Sequence, residues 1–359
     1  MSSLLPDAET FKRLVDGTTC GPAAAAARGG LAAVALPYRL AVALRNAAYD
    51  RGLFPVVGTA VPVVSVGNLT LGGTGKTPLV AWAARLLAGD GHRPAIVSRG
   101  YAAAAGTTSD EALELARLLP GVPHVADRDR VAAVNRAAAA GADVVVLDDG
   151  FQHRRLARSL DIVAIDATDP FGGGRIFPRG LLREPAAGLR RAAAVVLTRA
   201  VAVDAARRAE IRRAVASACG DRQPGVWAEA THRPLALRSW TGAARPLEDL
   251  RGRRVAAFAA IGNPAAFRRT LADLGADVGA FRPLPDHHAY TDADRSSLAA
   301  AARAAGAGLV LTTLKDLVKV RRDDLEGVPL VAVEIAIEFL VGGDAIAELV
   351  RAAAGRGPR

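Results

Sequence analysis

Lysine, cysteine and aromatic residues are all scarce in this chain, and each scarcity narrows what the protein can be. The 46 basic residues of the 359-residue sequence include only four lysines, Lys12, Lys76, Lys315 and Lys319. A lysine retained in so arginine-biased a chain is not filler. The two cysteines, Cys20 and Cys219, lie far apart without metal-ligand spacing, so free thiols in a reduced compartment are expected. Aromatics make up 4%, which, with abundant alanine and valine, favours tightly packed α/β layers over a β-sandwich. No uncharged run approaches the ~20 residues of a membrane-spanning helix. The longest near the N-terminus, Gly29 to Tyr38, contains Pro37. No small-residue cleavage site follows a signal-like apolar stretch, so export is not expected. The net charge of +10 points to an anionic partner: nucleic acid, an anionic membrane surface or a phosphorylated substrate. No nucleic-acid reading motif or aromatic platform in basic surroundings is present, so no nucleic-acid partner is expected. No solenoid-type repeat occurs, and the length predicts two domains.

What is present is organised around Val61 to Val80, VPVVSVGNLTLGGTGKTPLV. Val61 to Val66 reads as a buried strand. It breaks into Gly67, Asn68, Gly72, Gly73, Thr74 and Gly75, where a backbone with few Cβ atoms can wrap tightly around a ligand. Lys76, Thr77 and Pro78 follow, and Pro78 suits a first helical turn, where its missing N–H has no intrahelical partner. Strand, glycine loop, Lys-Thr and helix start match a nucleotide P-loop. Backbone N–H groups cradle phosphates, Lys76 reaches the β/γ-phosphates, and the Thr77 hydroxyl holds Mg²⁺. The strict pattern wants glycine where this chain has Thr70. The competing reading is a glycine-rich turn that happens to end in Lys-Thr.

Further along, RPAIVSRGY, ADVVVLDDG, LDIVAIDA and AAAVVLTRA read as buried strands separated by helices or loops. Such alternation predicts a mainly parallel, doubly wound sheet. Ligands bind beyond the C-terminal strand ends of such sheets, where Gly72, Ser98, Asp148 and Asp166 fall. VWAEATHRPLALRSW, residues 226 to 240, alternates like a strand and contains Pro234, which places a hinge there. A second α/β unit follows. The expected organisation is an N-terminal amphipathic membrane-associating segment (1–54), a P-loop domain (55–222), a strand-like hinge (223–241) and a smaller C-terminal α/β domain (242–359). In the first segment Leu40, Val42, Ala43, Leu44 and Ala47 leave an apolar stripe bordered by arginines. That stripe suits a helix in the headgroup region of an anionic leaflet, or an ordinary amphipathic helix packed on the domain.

Asp148 and Asp149 close an apolar strand after the P-loop, where a carboxylate can hold Mg²⁺ or its waters; a solvated strand-end turn is the rival. Gly150 to Arg155 then puts a dense polar cluster at the same edge. Transfer to a hydroxyl also needs a group that takes the acceptor's proton, and Asp110, Glu111, Asp286, His287 and His288 are candidates. The Asp-His-His run could instead bind a metal, although no third ligand cluster accompanies it.

VGNLTLGGTGKTP, SRGY, SDE, LDDGFQHRRLARSLDIVAID, FGGGRIFPRGLLREP and PDHHAYT occur in the order found in the tetraacyldisaccharide 4′-kinases, which phosphorylate a lipid A precursor. The chain resembles that family over nearly its whole length, and DDGFQHRRL is the most specific piece. The resemblance implies a two-domain P-loop kinase using ATP and Mg²⁺, peripheral on the cytoplasmic face of the inner membrane. It would transfer the ATP γ-phosphate to the 4′-hydroxyl of a tetraacyldisaccharide 1-phosphate. It also implies that Lys76 and Thr77 are the P-loop pair and that Asp148 and Asp149 lie near Mg²⁺. Asp110 would act with His287 on the acceptor hydroxyl, while Tyr101, Glu111, Arg130, Gln152, Arg183 and Glu184 would contact substrate or phosphate. The chain departs from the family pattern at Leu314, where an acidic residue is usual, at Ser109, at Gly173 of the Phe171–Gly174 run, and in the alanines after Tyr101. From the residues alone, a membrane-peripheral NTP-driven switch and a P-loop kinase of another phosphorylated small molecule remain alternatives.

Overall fold

The structure is a computed structural model that describes residues 8–100, 109–286 and 288–355. Tyr101 and His287 therefore lie outside the described residues. Two compact units are present. The larger gathers residues 10–100, 115–232 and 337–355; the smaller gathers residues 109–114 and 233–336, with Ala8 and Glu9.

Seven strands form the sheet of the larger unit: β1 (Val63–Asn68), β2 (Pro94–Ser98), β3 (His124–Ala126), β4 (Val144–Asp148), β5 (Leu160–Asp166), β6 (Ala194–Thr198) and β7 (Val226–Arg238). Their order is β7-β6-β5-β1-β4-β2-β3, with every pairing parallel. β1, β2, β4 and β6 are buried at every position, as runs of valine, leucine and isoleucine require when both faces of a parallel sheet are covered. β4 and β5 flank β1, so the chain reverses its direction of travel across the sheet at that point. The crevice outside β1 is thus a topological switch point, which fixes the P-loop's place in the fold.

The connection from β4 to β5 contains no helix and packs directly on β1. A Cβ added at Gly67 would lie 2.6 Å from Phe151 Cβ and 2.8 Å from Phe151 N. Phe151 is fully buried, packed with Leu69, Val163 and Leu189 among others. Glycine at 67 is therefore a close-approach residue, and it seats the Asp-Asp-Gly-Phe segment on the strand that feeds the phosphate loop.

In the smaller unit the parallel strands run β10-β9-β11-β13, where β8 is Ala244–Arg245, β9 Arg254–Ala259, β10 Asp277–Pro283, β11 Val310–Thr313, β12 Asp324–Leu325 and β13 Val328–Val341. Leu237, Leu250, Val255, Leu271, Leu311 and Val331 lie in its core. The unit boundary falls between His232 and Arg233, inside β7 and inside the stretch expected to be a hinge. The C-terminal boundary differs from the linear expectation of 242–359. Residues 337–355 return to the larger unit, where Phe339 meets Trp82 edge-on at 4.9 Å and Arg351 Nε donates to Asp90 at 2.8 Å. Nothing local in the sequence marks that return, because it depends on where Ile346 and Val350 find burial.

The N-terminal segment holds α1 (Ala8–Val15) and α2 (Pro22–Asp50). α2 is one continuous 29-residue helix with Pro37 inside it. By length and composition alone it could cross a membrane, which a search for uncharged runs misses because the helix's apolar window includes isolated charges. Only Ala24, Ala35 and Val42 of α2 are buried, while Val34, Leu36, Leu40 and Leu44 are each more than half exposed.

Replacing Gly67 with alanine should lower the unfolding free energy by about 2 kcal/mol, because an extra methyl group in a closed contact forces backbone shifts. Urea denaturation should show a reduced midpoint with an unchanged slope.

Candidate active site

α3 (Lys76–Gly89) begins at the phosphate loop, and its N-cap residue Gly75 is left-handed at φ 77°. Gly72 also has a positive φ, of 108°. Thr70, standing where the strict motif has glycine, needs no such conformation. It is buried, makes an isolated bridge with Leu182, and its carbonyl accepts from Asn68 Nδ2 at 2.6 Å. The loop's sharpest turns have moved onward to Gly72 and Gly75. Lys76 Nζ donates to Asn68 Oδ1 at 3.1 Å, which ties the lysine head back to the end of β1.

Asp148 ends β4 and is buried. Asp149 follows with a left-handed φ of 55°, which costs a non-glycine residue energy and points to a position over-determined by its contacts. Both Asp149 carboxylate oxygens accept from Arg183 Nη1, at 2.9 and 2.7 Å, and Lys76 Nζ stands 3.4 Å away. Burial raises the Asp149 pKa, but Lys76 and Arg183 outweigh it and hold the carboxyl at about 2. Arg130, buried at the start of the helix Arg130–Ala139, donates to the Asp149 carbonyl at 3.4 Å. Two carboxylates and three cations thus meet beside the phosphate loop.

Gln152 bridges this group to β1. Its Nε2 donates to the Asn68 carbonyl at 2.8 Å and to Glu184 Oε1 at 3.2 Å, while its Oε1 accepts from Arg183 at 3.4 Å. Glu184 has no exposed surface, and Arg191 Nη2 donates to both of its oxygens at 2.7 and 2.8 Å. Glu184 is thus enclosed, with Arg191, Gln152 and Asn46 as its donors.

Three further residues surround the loop, and no local motif marked them. The Thr198 hydroxyl donates to the Thr74 carbonyl at 2.8 Å. Arg199, left-handed at φ 52°, donates to the Gly73 carbonyl at 3.1 Å and pairs with Asp166 at the end of β5. The His232 ring packs against Gly75, where an added Cβ would lie 2.5 Å from Nε2. All three sit at or just beyond the ends of β6 and β7, or along β7. The strand-end rule covers Thr198 and Arg199 at the end of β6, whereas nothing local marks His232, which lies in the middle of β7.

In the smaller unit, Asp110 and Glu111 open the helix Asp110–Leu118. Lys319 Nζ is 3.6 Å from Asp110 and 3.5 Å from the fully buried Asp316. Lys315 pairs with Asp286 at 2.9 Å; burial lowers its pKa, but Asp286, Glu114 and Glu111 raise it overall. His288 stands 3.2 Å from Asp294, and its carbonyl accepts from Lys319 at 3.4 Å. The residues on either side of His287 are therefore pinned by lysines. Leu314 is buried at the start of the helix Leu314–Val320, so the site of the usual acidic residue is an apolar packing position in this chain. Among the described residues no group of three or more His, Cys, Asp or Glu could hold a metal by itself.

His153 and His232 have pKa values near 4, lowered by burial first and by Arg130 and Arg199 respectively. An unfolded histidine takes its proton near pH 6.5, while these two resist protonation until about 4. Stability therefore falls as pH drops from 6.5 to 4, by on the order of 1–3 kcal/mol per histidine. Urea titrations across that range should show the decline, and His232→Gln should remove about half of it, leaving the part due to His153.

A family profile described as Tetraacyldisaccharide-1-P 4′-kinase matches residues 28–354. The tetraacyldisaccharide 4′-kinase of Anaeromyxobacter sp. (strain K) is 43% identical over 361 aligned residues, covering 94% of each chain. That of Syntrophus aciditrophicus is 39% identical, covering 85% of this chain and 87% of its own. Among solved structures, LpxK from Aquifex aeolicus in complex with ATP superposes with a TM-score of 0.73 at 29% identity, covering 91% of this chain and 99% of the other. The chain belongs to the tetraacyldisaccharide 4′-kinase family.

Proposed function

We propose that this kinase transfers the γ-phosphate of ATP to the 4′-hydroxyl of a tetraacyldisaccharide 1-phosphate, at the cytoplasmic face of the inner membrane. The observation that carries the reading is the Lys76–Asp149–Arg183 cluster seated on a phosphate loop within a family match that runs almost end to end. The backbone of residues 72–77 and the start of α3 would cradle the phosphates, with Lys76 on the β/γ-phosphates. Arg183 and Arg130 add positive charge where the transferring phosphoryl carries its negative charge.

Magnesium fits the residues present. A hard cation takes oxygen ligands, and a buried strand-end carboxylate, a second one held ionised near pKa 2, and the Thr77 hydroxyl are all oxygen donors. Asp148, Asp149 and Thr77 would hold it, and it would neutralise phosphate charge. Asp110 and His287 would orient the acceptor. The acceptor oxygen bonds to Pγ, the bond from Pγ to the bridging oxygen breaks, ADP leaves, and the hydroxyl proton passes to the His287–Asp110 pair. Lys319 holds the Asp110 carboxylate in place for that role. Val34, Leu36, Leu40 and Leu44, with Leu53, Phe54 and Val56, form the apolar surface offered to the bilayer, and Arg39 and Arg51 would meet anionic headgroups.

Labelled γ-phosphate from Mg-ATP should appear in detergent-dispersed tetraacyldisaccharide 1-phosphate. Lys76→Ala, Asp110→Ala and His287→Ala should each reduce the rate by on the order of 10²-fold or more, with folding intact. ATP hydrolysis without lipid labelling by the wild type would overturn the assignment. Separately, Leu40→Ser with Leu44→Ser should weaken binding to anionic vesicles severalfold and leave the rate in detergent unchanged.

A further inference from the structure

α2 presents two faces with different chemistry. Its outer face carries the exposed Leu36, Leu40 and Leu44, whereas few of its apolar side chains are buried. Its inner side adds polar contacts that converge on the segments that build the phosphate site. Tyr38 Oη donates to the Arg183 carbonyl at 3.1 Å. Asn46 Nδ2 donates to Glu184 Oε2 at 2.9 Å, and the Asn46 carbonyl accepts from Arg154 Nη1 at 2.9 Å. Asp50 accepts from Arg154 at 2.7 Å and from Arg190 at 3.0 Å.

The route from there to the nucleotide loop is short. Glu184 is fully buried, and its donors are Arg191, Asn46 and Gln152. Gln152 in turn bonds the carbonyl of Asn68, whose side chain receives Lys76, and it also receives Arg183, which clamps Asp149. A buried carboxylate that loses one donor draws harder on the others, because leaving it short costs more than moving a neighbour. Removing Asn46 would pull Gln152 and Arg191 towards the vacated oxygen, and with them the anchors of Asn68 and Arg183.

We propose that Tyr38 and Asn46 of α2 are positioning residues for the phosphate site, so that the helix with the apolar outer face also sets the geometry of Arg183, Gln152 and Lys76. α2 is thus a working part of the nucleotide site and not a detachable anchor. The outer-face role rests on the function proposed above; the inner-face role does not, because it is read on nucleotide binding without any lipid.

The test uses the full chain and ATP with Mg²⁺, titrated calorimetrically, beside vesicle flotation and lipid phosphorylation. Asn46→Leu removes the donor at similar size and should weaken ATP binding about tenfold while vesicle binding stays within twofold. Asn46→Gln, which can still donate, should restore binding to within threefold of wild type. Leu40→Ser with Leu44→Ser should show the reverse, losing vesicles and keeping ATP affinity. Tyr38→Phe removes a single hydroxyl, should weaken ATP binding severalfold, and decides the matter if Asn46→Leu does not fold. Unchanged ATP affinity in Tyr38→Phe, or in a folded Asn46→Leu, overturns the proposal. Wild type that binds ATP but never labels the lipid would sink the kinase assignment and leave these nucleotide comparisons intact.

Discussion

The larger unit depends on one carboxylate held between two unlike cations. Asp149 occupies a backbone conformation that a non-glycine residue adopts only under constraint, and Arg183 and Lys76 supply the constraint. The same residue joins the end of β4, the loop that crosses β1, and the first residue of α3. Because Phe151 closes against Gly67 two residues later, the segment cannot relax away from the sheet. Sheet order, glycine placement and site charge are therefore one arrangement viewed at three scales. A break in any of them releases Asp149.

A second buried carboxylate extends that arrangement outward. Glu184 is stabilised by Arg191 from its own segment, Gln152 from the β4–β5 connection and Asn46 from α2. An isolated buried charge is costly, and a paired one is tolerated only when its hydrogen bonds are complete. The three donors come from sequence positions up to 145 residues apart, so the pairing registers distant parts of the chain against each other. Through Asn46 the N-terminal helix is registered against the segments that build the site.

Much of the site was legible in the residues because its chemistry is local. A valine-rich strand, four glycines (67, 72, 73 and 75) with asparagine and threonine among them, then Lys76-Thr77-Pro78, read in order as strand, loop and helix, and they fold that way. Asp148 and Asp149 were legible as the end of an apolar run for the same reason. Thr198, Arg199 and His232 were not, because parallel strand order brings them to the loop and no periodicity records strand order. Glu184 is expected from the family resemblance to contact substrate or phosphate; its complete burial comes from tertiary surroundings that no local pattern records. Pro37 lies inside α2, which continues through it. The return of residues 337–355 to the larger unit followed from burial, which a linear division at residue 242 cannot express.

The scarcity of lysine then acquires a physical sense. Each of the four stands within 4 Å of an aspartate: Lys12 of Asp169 at 3.9 Å, Lys76 of Asp149 at 3.4 Å, Lys315 of Asp286 at 2.9 Å, and Lys319 of Asp110 at 3.6 Å. Arginine takes the clamps instead, with Arg183 reaching both oxygens of Asp149 and Arg191 both oxygens of Glu184. In both clamps a single Nη of a planar, pre-organised guanidinium reaches both oxygens, whereas an ammonium is a point charge on a flexible stem. Asp149 uses one of each. In the proposed reaction Lys76 can transfer its charge from Asp149 to an arriving phosphate by a small torsional movement. Arg183 meanwhile keeps the carboxylate compensated, so the site gains a phosphate ligand without stranding a buried anion. An arginine at position 76 would have to break a better-formed bond to make the same exchange, and that difference is reason enough for a chain so rich in arginine to keep a lysine there.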